Sequence, residues 1–293
     1  MIYLSFVAIA LLWGTSYIAI KSALTVMTAM ELLAIRWSIA FLFFLLLYAF
    51  KIVKIDYRGK KLSGLVLLVL FQPCLYALFE TIGVDLTSSS ESSIFIGVIP
   101  LMVVLEGWII FRKKVSKKLL LAIVTAFAGL LVSIIFAPDF ATGGKFTGYL
   151  VLLCAITVGG MYCLITNKVS ETFSFIEITF GMALGGAVWF NILSLLSGNG
   201  ISPYLKFAEG GVPTLAVIYL GLGCSFLAYI LYNYALSRIT AATASCLQTN
   251  LITIVGVVAG IAVGGDSWGW YTVVGVIMMS IGVFMSASEE KEL

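Results

Sequence analysis

Histidine is absent from this chain, and charge is scarce: 17 Lys and Arg and 14 Asp and Glu among 293 residues. Without imidazole there is no His general base, no His metal ligand and no His proton relay. The five cysteines, Cys74, Cys154, Cys163, Cys224 and Cys246, fall inside apolar runs and form no CxxC pair. Neither a redox motif nor a zinc site is signalled, and they read as small buried hydrophobes. No nucleotide-binding loop is present, which argues against an ATP-driven pump. A net charge of +3 is too small to point to nucleic acid. No cofactor, metal or catalytic residue is expected.

Apolar surface is what the chain has in excess. Hydrophobic residues make up 61% and charged residues 11% of it, and its mean hydropathy is +1.13. A soluble domain of this length cannot hide so much, because surface outruns volume even in a large fold. The solvent is therefore lipid. Apolar runs of membrane length predict helices over 2–20, 32–50, 62–84, 92–111, 118–137, 147–166, 175–197, 212–236, 241–263 and 268–287. The first run lacks a basic n-region and a placeable cleavage site before Lys21, so it reads as a retained helix.

Lys and Arg set the orientation. With a cytoplasmic N-terminus, inner segments carry Lys51, Lys54, Arg58, Lys60, Lys61, Arg112, Lys113, Lys114, Lys117, Lys118, Lys168, Arg238 and Lys291, against only Lys21, Lys145 and Lys206 outside. The positive-inside rule then places both termini in the cytoplasm. The basic clusters also suit contact with anionic lipid.

A shift of 153 residues lays the third to fifth helices on the eighth to tenth without a gap. Tyr76 falls on Tyr229, Thr87 on Thr240, Ser92 on Ser245, Gly107 on Gly260 and Gly129 on Gly282. Each half has an odd number of spans, so the second enters the membrane upside down. Aligned positions carry opposite charge accordingly: Asp85 against Arg238, and Lys113 against Asp266. The expected fold is all-α, with ten transmembrane helices in two inverted five-helix repeats. The repeats are residues 1–137 and 147–287, with a 138–146 connection and a 288–293 tail. Inverted repeats suit secondary transporters, whose equivalent halves can rock between two states of similar energy.

The run Leu12-Trp13-Gly14, then Lys21 and Arg36, resembles the opening of an EamA-type half of the drug/metabolite transporter superfamily. Thr87 to Pro100 resembles that family's start of the fourth helix, and Gly265-Asp266 with Gly275 and Gly282 resembles its Gly-Glu turn and final helix. Lys113 stands where the family's acid is usual, Asp266 replaces Glu, and Thr253 replaces a proline. The resemblance implies a solute carrier, often an exporter of amino acids or related metabolites. It further implies a central cavity lined by helices 1, 3, 4, 6, 8 and 9, with homodimer contacts at helices 5 and 10.

Intramembrane polar groups are costly unless paired or facing water, so they mark the candidate substrate site. Gln72, Tyr76 and Glu80 follow i, i+4, i+8 on the third helix, and Ser225, Tyr229 and Asn233 repeat this on the eighth. Phe79 and Tyr232 also align, Trp13 and Tyr17 form an i, i+4 pair, and Tyr162 and Gln248 add polar groups. Against this stands simple packing or interfacial anchoring of the aromatics. Glu106, about six residues or ~9 Å from the cytoplasmic end of its helix, reads in two ways. It is a titratable group in the cavity that binds a proton or a cationic substrate, or a carboxylate reaching water or the Arg112–Lys114 cluster. Arg36 reads as structural, either snorkelling outward or paired with Glu31 or another acid.

The expectation is a carrier of small metabolites, amino acids or related compounds moved outward across the cell's inner membrane, with lipid as its surroundings and room for proton coupling. A flippase of lipid-linked substrates shares the same fold and would need a lateral opening. An intramembrane lipid-modifying enzyme lacks a nucleophile motif or a repeated Asp cluster.

Overall fold

The computed structural model describes residues 2–111, 116–137 and 145–290. Arg112, Lys113, Lys114, Lys291 and the 138–144 part of the connection lie outside them. The described residues contain helices and no strand. Eight helices are long and apolar enough to cross a membrane: α1 (Leu4–Leu24), α2 (Ala29–Ala49), α3 (Ser63–Leu86), α4 (Ser89–Ile110), α6 (Phe146–Val169), α7 (Phe175–Leu196), α8 (Gly211–Leu236) and α9 (Ala241–Ala262). Two shorter apolar helices, α5 (Leu120–Ile135) and α10 (Trp270–Met285), occupy the remaining expected positions. This is a multi-pass membrane protein.

α2 and α4 each start three residues earlier than the apolar runs suggest, at Ala29 and Ser89, because their first turns are polar, while α7 and α9 start at the expected positions. Thr28 caps α2, Ser88 caps α4 and Ser174 caps α7. In each case the N3 residue, Glu31, Glu91 or Glu177, completes a capping box. Such boxes satisfy amides that have no partner within the helix, and the carboxylate favours the positive end of the helix dipole. Thr240 caps α9 by accepting from the Thr243 amide.

Each boxed glutamate is also held by a lysine from a distant segment. Glu31 accepts from Lys206 at 2.7 Å, Glu91 from Lys145 at 3.1 Å and Glu177 from Lys60 at 2.7 Å. Glu31 pairs with Lys206, in the short helix Ser202–Ala208, and Arg36 turns elsewhere. The first and third of these pairs are related: a shift of 146 residues carries Glu31 onto Glu177 and Lys60 onto Lys206. The same shift carries Asp56 onto Ser202, and these donate to Glu177 and Glu31 through the Asp56 amide and the Ser202 hydroxyl. One pair closes the end of the bundle at the α1–α2 connection, the other the end at the α2–α3 connection.

Helix packing repeats in the same way. α2 lies along α7, α5 along α10, and α4 against α9. α1 packs on α8 and α9, while α6 packs on α3 and α4; α2 contacts α8, while α7 contacts α3. The main pairings therefore recur five helices further on. α4 and α9 are the most enclosed of the long spans and form the centre.

Three spans are locally irregular. α1 is interrupted at Thr15. α3 passes through a π-helical stretch, Leu70–Leu75, containing Pro73 and a non-helical Gln72 (φ −136°, ψ 116°). α8 has its counterpart at Tyr219–Ala228. Wide turns of this kind free backbone groups and re-aim side chains, and they sit here at mid-helix. Gln72, Tyr76 and Glu80 therefore do not stand on one continuous helical stripe.

Backbone approach is closest between α5 and α10. A Cβ on Gly129 would lie 2.6 Å from the Gly275 carbonyl oxygen and 2.7 Å from the Met279 amide nitrogen. Glycine is needed there to let the helices meet. Gly107, by contrast, has only Leu164 Cδ2 at 3.8 Å. Gly129→Val is expected to cost about 1–3 kcal/mol through overpacking, while Gly107→Ala leaves stability unchanged. Thermal unfolding in detergent reads both, and equal stability of the two variants would remove the close-packing argument.

Candidate functional site

The packing of the two halves leaves a chamber in the middle of the bundle, with an empty volume of about 520 Å³ counting the part that opens to solvent. Of the sequence candidates, Trp13, Tyr17, Gln72, Tyr76, Glu80, Tyr162, Tyr229, Tyr232 and Gln248 line it. The walls come from α1, α2, α3, α4, α6, α8 and α9, so both halves contribute.

Aromatic rings form one side. Trp13 meets Tyr229 edge-on with centroids 4.8 Å apart and Tyr232 at 5.4 Å, and Tyr162 lies 6.3 Å from each tyrosine. The Trp13 indole donates to the Cys224 carbonyl at 3.1 Å, a carbonyl in the π-helical stretch of α8. Gln72 Nε2 donates to the Tyr229 hydroxyl, joining the irregular turn of α3 to α8. Tyr76 donates to Glu80 Oε1 at 3.0 Å. Thus the π-helical stretches position the aligned tyrosines by supplying the groups beside them.

Three candidates lie outside the chamber. Asn233 is fully buried behind it: its Oδ1 accepts from the Tyr162 hydroxyl at 2.7 Å and its Nδ2 donates to Thr179 at 2.9 Å. It holds the tyrosine that lines the wall. Phe79 packs half-buried against the apolar core. Glu106 faces α6 away from the chamber, where a Cβ on Gly160 would come 2.5 Å from its Oε2. It is 8% exposed, and among the described residues neither of its oxygens has a hydrogen-bond partner. The Arg112–Lys114 part of the second reading lies outside the described residues.

Arg36 is the largest correction. It does not snorkel and does not pair with Glu31; it is 2% exposed and lines the chamber. Its Nε donates to Ser225 Oγ at 2.6 Å, while Nη1 finds no acceptor among the described residues. Ser225 lies on α8 at the position aligned with Gln72, and nothing in the sequence marked it as the partner of Arg36. Ser16, Ile96, Ile99, Gly159, Cys163, Thr249 and Ile252 complete the lining. Apolar members such as the isoleucines carry no distinguishing signal in sequence. Gln248 Oε1 and Gln72 Oε1 also lack partners.

The family-motif residues have structural work. Asp266 Oδ2 accepts from the Ser90 amide at 2.7 Å, so the α9–α10 turn caps the first turn of α4. Thr253, standing where a proline is usual, donates to the Ser93 carbonyl at 3.1 Å and ties α9 to α4. Lys21 donates to the Asp85 carbonyl at 2.9 Å.

Loss of the Asn233 amide would strand the Tyr162 hydroxyl in a dry wall. Asn233→Leu is expected to cost about 1–3 kcal/mol, the penalty of an unsatisfied buried polar group. Asn250 bonds only one turn back along its own helix, to Cys246, and Asn250→Leu is expected to cost less. Unfolding of the two variants side by side checks the ordering, and the reverse order would contradict it.

Comparison with known proteins agrees with this architecture. The chain is 28% identical over 285 residues to the uncharacterized transporter YcxC of Bacillus subtilis (strain 168), covering 96% of this chain and 91% of that protein. It is 24% identical over 285 residues to an uncharacterized transporter of Archaeoglobus fulgidus (strain ATCC 49558), covering 93% and 94%. A solved structure described only as a crystal structure of protein superposes with a TM-score of 0.70 at 16% identity, covering 97% of each chain, so the fold is shared. The EamA-like transporter family matches the chain twice, at residues 1–135 and 146–288. With a duplicated match across nearly its whole length, the chain belongs to the EamA-like transporter family.

Proposed function

We propose that the chain is a secondary carrier that moves small metabolites, amino acids or related compounds, out across the cytoplasmic membrane by alternating access. The two halves are inverted five-helix repeats of a ten-span protein whose termini both lie in the cytoplasm. One observation carries the reading. The chamber lies between the halves, and each end of the bundle is tied by an ion pair joining one half to the other, Glu31–Lys206 and Glu177–Lys60. Inverted halves around a midplane site can exchange roles, so that what closes one end in one state corresponds to what closes the other end in the next. A channel would have no use for such a pair of reciprocal closures.

The lysines are 28% and 32% exposed while their glutamates are nearly buried. Such half-buried pairs can break and re-form without stranding both charges in hydrocarbon. They suit a latch better than a permanent bolt. Locking either end should therefore stop a carrier. With Glu31→Cys/Lys206→Cys, and separately Glu177→Cys/Lys60→Cys, oxidation is expected to abolish counterflow of amino acids in proteoliposomes and reduction to restore it. Undiminished flux with either end cross-linked would sink alternating access, and no flux of any solute by the unmodified protein would sink the carrier reading.

Glu106 is the candidate for proton coupling, since it offers a buried carboxylate with both oxygens unspent between α4 and α6. If protonation there sets the balance of states, Glu106→Gln fixes the neutral form. Transport by the variant is then expected to lose its dependence on pH over roughly pH 5 to 8. Identical pH profiles for the two proteins would remove Glu106 from coupling.

A further inference from the structure

The halves repeat in their packing but not in how tightly they close at the crossing of α4 and α9. Where α4 begins and α9 ends, the two helices meet almost backbone to backbone. A Cβ on Gly256 would lie 2.5 Å from Ser93 Cβ, and one on Gly260 would lie 3.0 Å from the Ser90 amide nitrogen. Two hydrogen bonds from side chains of the second half seal this end. Thr253 donates to the Ser93 carbonyl at 3.1 Å, and Asp266 accepts from the Ser90 amide at 2.7 Å. Tyr149 and Lys145, at the start of α6, add contacts to the neighbouring Glu91 at 2.7 and 3.1 Å.

The aligned positions at the other end of the same crossing are unsealed. Under the 153-residue shift Gly107 corresponds to Gly260, and Thr243 to Ser90. Yet a Cβ on Gly107 would meet only Leu164 Cδ2 among the described residues, and Thr243 bonds within its own cap, to Thr240. Thr87 is buried, whereas its counterpart Thr240 is exposed. The side chains explain why the two ends are not equivalent. Thr253 aligns with Pro100, which has no hydroxyl to donate, and Asp266 aligns with Lys113, which has no side-chain oxygen to accept. Closing the second end by the mirrored movement would bring Gly107 to Thr243 without forming either hydrogen bond.

We propose that Thr253 and Asp266 form a built-in lock that makes the state closed at the start of α4 the resting state of this protein. That end is the outer one in the orientation proposed above, so the empty carrier rests shut to the outside. Its α4–α9 crossing is then unsealed towards the cytoplasm. The inference rests on the carrier reading and adds an energetic bias to it, with Gly107 and Thr243 as the contact of the opposite state. Two equal halves would give two states of similar energy. Hydrogen bonds present in only one state shift the balance by their net worth, as any differential contact does. Because Thr253 stands where the family has a proline, the bias belongs to this chain and not to the fold. It suits a protein that collects its cargo inside.

Distances between spin labels in proteoliposomes test this, with the exposed Cys154 replaced by serine and the other four cysteines left buried. Leu86→Cys with Val263→Cys spans the sealed end, and Ile109→Cys with Thr240→Cys spans the unsealed one; all four sites are exposed. The starting protein is expected to show mainly a short distance at the first pair and a long one at the second. Thr253→Val removes the hydroxyl and keeps the shape, and should raise the population open at the sealed end ~2- to 10-fold. Asp266→Ala should raise it ~10-fold or more, because a charged acceptor is lost. Thr253→Ser keeps the donor and should leave the populations as they were, which separates the lock from misfolding. Populations unmoved by both variants, whatever their melting temperatures, would make the contacts merely structural and overturn the lock. A starting protein that is mainly closed at the second pair would overturn it too. In both cases the carrier stands if each pair shows two exchanging distances. If neither pair shows a second distance in any of these proteins, with or without amino acids, the lock and alternating access fall together.

Discussion

In hydrocarbon no solvent takes up a spare backbone amide or carbonyl, so each must be satisfied inside the chain. This constraint organises the rest of the molecule. It makes every described span a helix, and it concentrates the demand for partners where helices begin and where they are irregular. At the beginnings the answer is local: Thr28, Ser88 and Ser174 with their boxed glutamates. At the irregular turns of α3 and α8 the answer comes from other helices. Trp13 reaches the Cys224 carbonyl and Gln72 reaches Tyr229. Polar side chains that lipid would reject are drawn to the same central places, which is why chamber and irregular turns coincide.

The ends of the bundle follow from the caps. A capping glutamate is a fixed negative charge near the membrane boundary, and a lysine from another segment completes it. Because the capped helix lies in one half and the lysine in the other for Glu31 and Glu177, the local need of a helix terminus becomes a contact between halves. The same residues that start a helix thereby govern how tightly the halves are held at that end. Small residues do the corresponding work along the sides, where Gly129 and Gly275 bring α5 and α10 into backbone contact.

Charge inside the chamber has a different character from charge at the ends. The end pairs are satisfied by contact. Arg36 and Glu80 are not, and neither is Glu106 behind the wall. An interior that tolerates unspent charge holds it in place by anchors: Ser225 for Arg36 and Tyr76 for Glu80. Both anchors belong to the α3 and α8 segments whose sequences align. Duplication thus supplied matching frames, and divergence within them, Gln72 against Ser225, gave the two sides different chemistry.

Composition alone decided that the chain lives in lipid, because no folding of 61% apolar residues can keep them from the surface. Apolar runs of membrane-spanning length located the helices, and the repeat singled out Tyr76, Tyr229 and Tyr232 as residues that the fold brings to one chamber. The starts of α2 and α4 lie three residues before their apolar runs because the first turn of each is polar. What only the tertiary structure decided is where the lone intramembrane charges point. Arg36 and Glu106 sit on helices with similar apolar surroundings, and a one-dimensional pattern leaves Glu106 open between cavity and boundary and reads Arg36 as structural. In the folded chain Arg36 lines the chamber and Glu106 packs against α6, since the direction of a side chain on a helix buried on many sides is set by which neighbour packs there, Ser225 in one case and Gly160 in the other.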